Sequence, residues 1–151
     1  MFTIEDYVGI YASSPDWTPE RQANARHLLN ACANLQVIME ADGVHFPLHE
    51  HAANGVHPRT ETTIGGETYG GFRPQSCLIG AAHSAHKEGL AVDRYDPDGI
   101  IDKWLLDDYL AHGDRSALVH CGIYIEHPDS TPGWSHWSIR APASGHHVFY
   151  P

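Results

Sequence analysis

The stretch Ser84-Ala85-His86-Lys87-Glu88-Gly89-Leu90-Ala91-Val92-Asp93 constrains this chain more than any other. Leu90 to Tyr95 reads as a buried strand, and Ala91 and Asp93 then point to one face of it, so the carboxylate can line a cleft. Just upstream, Gly89 permits a tight bend and a close backbone approach to a bound ion, and Ala91 keeps the wall of the site small. An imidazole at His86 and a carboxylate at Asp93 suit zinc, which takes His nitrogen and Asp oxygen at about 2.0–2.2 Å. A catalytic zinc uses three protein ligands and keeps a fourth position open. One more ligand is therefore needed, and His136, within Gly133-Trp134-Ser135-His136-Trp137, is the best candidate.

Composition narrows the setting. With 151 residues, 42% of them hydrophobic, the chain suits one compact domain with a real core, taken here as residues 1–151. A net charge of -10 argues against nucleic acid and against an anionic membrane surface as partners, and no apolar run approaches a membrane span. The N-terminal Met1-Phe2-Thr3-Ile4-Glu5-Asp6-Tyr7 lacks the basic and apolar regions of a signal peptide, so synthesis in a cytoplasm is expected. Cys32, Cys77 and Cys121 form no CxxC pair and no disulfide framework, and are expected to be buried small hydrophobes. Thirteen histidines stand out, but one zinc site uses only two or three of them.

The order of elements suggests an α+β fold, an antiparallel sheet with flanking helices. Thr18-Pro19-Glu20 is a helix start, with Thr as N-cap and Pro at the first position. This helix should run to about Asp42 and stop at Gly43, with Leu28, Ala31, Leu35, Ile38 and Met39 as its apolar stripe. Residues 44–71 read as loops, with a short hairpin around Ile64 to Tyr69, and Tyr69 to Pro74 as a strand ended by proline. Asp96-Pro97-Asp98-Gly99 is a turn. A second helix is expected from about Ile100 to His112, with Trp104, Leu105 and Tyr109 facing inward. Leu118 to Glu126 and Trp134 to Arg140 alternate as strands do, and the tail from Ser144 to Pro151 offers an edge strand.

Ser84, His86, Gly89, Ala91 and Asp93 match the SxHxxGxAxD motif of the zinc D-alanyl-D-alanine carboxypeptidases, and the chain resembles that family. Gly71-Phe72-Arg73-Pro74 is similar to the family's upstream Gly-aromatic-Arg segment, and Trp134-Ser135-His136 to the late segment that supplies its third ligand. The likeness runs from about Tyr69 to Arg140 and is nearest to small peptidase-like proteins of phage and prophage. It implies the hedgehog/DD-peptidase-like fold, His86, Asp93 and His136 as zinc ligands, and hydrolysis of peptidoglycan stem peptides, with release to the cell wall through a phage lysis system. Zinc in such a site acidifies water and polarises a scissile carbonyl. Arg73 would then hold a substrate carboxylate or the developing oxyanion, or form a structural salt bridge. Ser84 would bond substrate or cap a turn.

One position departs from the family. Its catalytic members carry a carboxylate three residues before the last His ligand, where this chain has Gly133. Glu126, His127 and Asp129 are the nearest substitutes. Glu126, at the end of an expected strand, is the first choice as proton carrier, a role worth about 10²–10⁴ in rate. If no group fills it, the chain is a non-catalytic zinc-binding phage structural or assembly module on the same scaffold. Other signals are weaker. His45, His49, His51 and His57 form a His-rich tract read as a polar loop, and His49-Glu50-His51-Ala52-Ala53 lacks the second histidine of HExxH. His146-His147 reads as an ordinary tail pair and Asp107-Asp108 as a solvated helix face. Asp96-Pro97-Asp98-Gly99 lacks the later Glu of a calcium loop. Trp134 and Trp137, which flank His136, are read as core, with one of them alternatively walling a substrate groove.

Overall fold

The computed structural model describes residues 3–50, 61–62 and 69–151. The hairpin expected around residues 64–69 lies, apart from Tyr69, outside the described residues, as do His51 and His57.

A short helix the sequence reading missed, α1 (Ile4–Val8), opens the described chain. Thr3 and Asp6 cap it reciprocally, side chain to backbone, and the Thr-x-x-Asp spacing was the signal that could have revealed it. Helix α2 (Pro19–Ala41) starts as expected, with the Thr18 side chain accepting from the Arg21 amide. Its inward stripe, Leu28, Ala31, Leu35 and Met39, is buried, and Cys32 joins it. Among the described residues follow β1 (His49–Glu50) and β2 (Glu61–Thr62), an antiparallel pair.

Strand β3 (Ala91–Asp96) leads to α3 (Ile100–His112), whose first turn is capped by the Asp96 carboxylate accepting from the Ile101 and Asp102 amides. Leu105 of α3 is buried, while Trp104 and Tyr109 pack partly buried against the core. Next come α4 (Ala117–Cys121), β4 (Tyr124–Glu126), β5 (Gly133–Ser138) and β6 (Val148–Phe149). The sheet order is β3-β5-β4-β6. Pairs β3–β5 and β5–β4 are antiparallel, with Asp93 opposite His136 and Ile125 opposite Trp137.

Four expectations need correction. Tyr69 to Pro74 is irregular chain, because its amides bond outward one at a time: Phe72 N donates to Tyr7 O and Arg73 N to His86 O. Residues 118–121 are helix, since Ser116 caps them by accepting from Val119 N and Gly122 closes the turn; the strand begins only at Tyr124. The tail does supply an edge strand, but β6 runs parallel to β4, so the sheet is mixed. Cys32 is buried, whereas Cys77 and Cys121 are half-buried; all three are free thiols.

The two central strands divide their side chains by parity. Val92, Arg94, Ser135 and Trp137 are fully buried on the helix side, in or beside the cluster that includes Leu28, Leu35, Ile101, Leu105 and Leu118. Asp93, Tyr95, Trp134 and His136 share the opposite face and remain half-buried. Of the two tryptophans read as core, Trp137 is core, with its indole N–H donating to Ser135 Oγ at 2.7 Å. Trp134 instead packs on Tyr95, ring centres 5.5 Å apart, on the half-buried face. No helix of the described chain is long and apolar enough to cross a membrane.

Candidate metal centre

Three elements carry His86, Asp93 and His136 to one point. His86 sits in a 3-10 turn, Ala85–Glu88, that runs directly into β3. Gly89 ends that turn in the left-handed region, φ +76°. A side chain there would also meet α2, because a Cβ would lie 2.5 Å from the Arg21 carbonyl oxygen. The close approach that Gly89 makes here is to helix α2. Asp93 and His136 then face each other across the β3–β5 ladder. Ala91 is fully buried, its carbonyl accepting from the Tyr7 hydroxyl at 3.0 Å.

The three candidate ligand atoms are tightly grouped. His136 Nδ1 lies 2.8 Å from Asp93 Oδ1, His86 Nε2 lies 3.2 Å from the same oxygen, and the two ring nitrogens are 3.3 Å apart. Ligands at zinc's usual bond lengths in a tetrahedral shell are separated by roughly 3.3 Å, so the spacing fits. His86 supplies a second argument. Its Nδ1 lies 2.8 Å from Gly71 O, an acceptor only, so Nδ1 carries the proton and donates it there. In the neutral ring Nε2 is then a bare lone pair, facing the carboxylate oxygen Asp93 Oδ1. Either a metal ion or a proton on Nε2 reconciles the two, and the Gly71 carbonyl is the kind of outer partner that fixes a ligand histidine.

The electrostatics of His86 and Asp93 agree with this arrangement, while His136 leans towards the protonated form until a cation displaces its proton. His86 is 2% exposed, and burial lowers its pKa against the raising effect of Asp93, favouring the neutral imidazole a metal requires. For His136 burial also pushes downward, but the hydrogen bond and charge of Asp93, with Glu126 behind them, outweigh it and hold the ring above its usual value. Burial would raise Asp93, yet the two histidines hold its carboxyl well below the usual carboxylate range.

Arg73 is 7% exposed and committed to this centre. Its Nη2 donates to Asp93 Oδ2 at 2.7 Å and its Nε to Tyr69 O at 2.6 Å. The salt bridge expected as one of its two roles is present, and it fixes the carboxylate so that Oδ1 faces the histidines. Ser84 stands at the start of the 3-10 turn without a side-chain capping bond and lines the adjoining cleft.

That cleft, about 430 Å³, opens onto Arg73, His86, His136 and Glu126. Glu126, the last residue of β4, reaches within 4.0 Å of His136 Nε2. This is too long for a hydrogen bond, and Nε2 is the ring nitrogen opposite the Nδ1 that faces Asp93 and His86, so the carboxylate lies along the outer edge of His136. Gly133 pairs with Asp96, three residues along β5 from His136, and a Cβ there would meet nothing within 4 Å. The alternatives to Glu126 lie elsewhere: His127 stacks on Tyr150, and Asp129 is exposed.

The sequence reading overlooked the Gly71 carbonyl, since a backbone acceptor leaves no mark in composition. Two minor readings change as well. His147 is no idle tail residue, because its Nδ1 lies 2.6 Å from Ile123 O and its ring stacks on Tyr124. Asp108 is held rather than solvated, accepting from Ala117 N at 2.7 Å and pairing with His112. No family model matches the chain, and neither a curated protein nor a solved structure matches it.

Proposed function

We propose that this chain is a zinc-dependent peptidase of the D-alanyl-D-alanine carboxypeptidase type, acting on the peptide stems of bacterial peptidoglycan. His86 through Nε2, Asp93 through Oδ1 and His136 through Nδ1 would hold the ion. Zinc, when bound, supplies a Lewis acid that acidifies water and polarises a carbonyl. The observation that favours a catalytic reading over a purely binding one is that Glu126 lines the same cleft as His86 and His136, although its nearest approach, 4.0 Å, is to His136 Nε2 and not to the ligand atom Nδ1. It supports a proton carrier reached from β4, in place of the missing side chain at Gly133.

In this reading Glu126 accepts a proton from the attacking water and delivers it to the departing amine nitrogen. The amide C–N bond breaks as the water oxygen joins the carbonyl carbon. Gly71 O keeps the proton of His86 on Nδ1, which leaves Nε2 available as a ligand. Arg73 orients Asp93 and keeps its charge balanced in a buried setting.

The test is incubation of zinc-loaded protein with purified muropeptides, read by mass spectrometry beside His86→Ala and Glu126→Gln. New fragments are expected from the wild type alone. Identical profiles from all three proteins would overturn the peptidase reading.

A further inference from the structure

We infer that the tail, residues 146–151, is a working wall of the cleft and that Phe149 on it selects an apolar group of the ligand; this rests on the metallopeptidase reading above. Strand β6 lies against β4 with Val148 opposite Ile125 and Phe149 opposite Glu126. Two backbone bonds flank Glu126, Ile125 N to His147 O and His127 N to Phe149 O, both 2.7 Å. The β5–β4 ladder pairs Tyr124 and Ile125 and stops there. At Glu126 the strand is thus backed by the tail.

Two ring stacks fasten the tail on either side of β6. His147 lies on Tyr124 with ring centres 4.2 Å apart, and Tyr150 lies on His127 at 4.4 Å. Between these clips the strand alternates. Val148 packs against the core, which turns Phe149 the other way, and Phe149 lines the cleft together with Pro151. Ala81, Ala85 and Pro142 continue the apolar lining, while Arg73, His86, His136 and Glu126 gather the polar atoms. A concave site that sets a few convergent polar groups against apolar walls binds ligands that are themselves so divided. The ligand expected here places an apolar side chain against Phe149 while its polar group meets the metal centre.

Zinc-binding hydroxamates test this without any need for turnover. The zinc-loaded full chain is titrated calorimetrically with acetohydroxamate and with 3-phenylpropionohydroxamate. Wild type should prefer the phenyl-bearing compound by about 10–100-fold, the range that apolar pocket contacts supply. Phe149→Ala should lose most of that preference while binding zinc and acetohydroxamate as wild type does. Phe149→Leu, which keeps an apolar residue in the strand, should retain an intermediate preference. Equal affinities for the two compounds in wild type, or an unchanged preference in both variants, would overturn the wall while leaving the zinc centre standing. A wild-type chain that takes up no zinc overturns the peptidase reading itself, and the wall with it.

Discussion

His86, Asp93 and His136 are fixed by three independent constraints, whereas Glu126 reaches the same cleft from the end of a three-residue strand. The ligand side has a full six-pair ladder between β3 and β5, a buried arginine on Asp93 and a backbone carbonyl on His86. The proton-carrier side has two ladder pairs with β5 and two with the tail. A site built this way separates holding a metal from using it. The first function is built on the two central strands, against the face opposite the core, and the second sits on an edge where sequence can change at little cost to folding. Gly133 leaves β5 without a carboxylate at that place, and in the proposed reading Glu126 of the neighbouring strand takes the part.

The strongest challenge to this division falls on Asp93. Asp93→Ala removes a ligand and leaves Arg73 buried without its carboxylate, and stripping one partner from such a pair costs about 3–5 kcal/mol. Zinc affinity should fall by more than the roughly 10–100-fold typical of losing an outer partner. Chemical denaturation and zinc titration measure the two losses, and unchanged stability would show that Arg73 does not depend on Asp93.

Glu126→Gln probes the other side. As a proton carrier it should cost about 10²–10⁴ in kcat with zinc affinity unchanged. If Glu126 instead serves as an outer partner of His136, zinc affinity falls about 10–100-fold. Turnover and zinc titration on the same variant separate the two, and the second result would merge the regions contrasted here.

Gly71→Ala tests whether the ligand side depends on backbone. A Cβ at this position would lie 1.9 Å from Tyr7 O, so the segment must move and take the Gly71 carbonyl off His86. A loss of zinc affinity of about 10–100-fold is expected, together with a lower Tm. Wild-type affinity in a folded variant would show that the carbonyl does not govern His86.

A separate test, on stability alone, concerns the core behind the site. Burial raises the Asp102 carboxyl from 3.8 to about 7, with the Ser135 hydrogen bond opposing and the Asp96 charge adding to the rise. The folded chain therefore keeps a proton that the unfolded chain has released between those values. Stability from this group is highest below about pH 4, declines as pH rises towards 7 and is level above it. Asp102→Asn should leave stability at pH 4 nearly unchanged and raise it at pH 8 by up to a few kcal/mol, at about 1.4 kcal/mol per pH unit of the window. Thermal melts at the two pH values give the answer; an equal change at both would place the effect in packing instead of charge.

How much could be read in advance follows the same division. The His86–Asp93 spacing and its strand are local features, and His136 lies in the strand that pairs with them, so the meeting of these three side chains was legible. Glu126 was legible only as a carboxylate at a strand end, because its neighbour His136 depends on register between strands. The role of Arg73 remained open for the same reason: its partner is twenty residues away in sequence. Leu118 to Cys121 was misread because a short apolar run does not distinguish strand from helix; Ser116 and Gly122 decide it. Nor does alternation reveal strand direction, so the parallel set of β6 was hidden.

The central claim is that two imidazoles and one carboxylate share a single divalent ion. Zinc X-ray absorption on the purified, reloaded chain, with stoichiometry by elemental analysis, tests it most directly. One zinc per chain is predicted, with a nitrogen and oxygen shell at about 2.0–2.2 Å, outer scattering from two imidazoles, and from only one in His136→Ala. A chain that holds no zinc, or a spectrum unaltered in both His86→Ala and His136→Ala, would contradict the account.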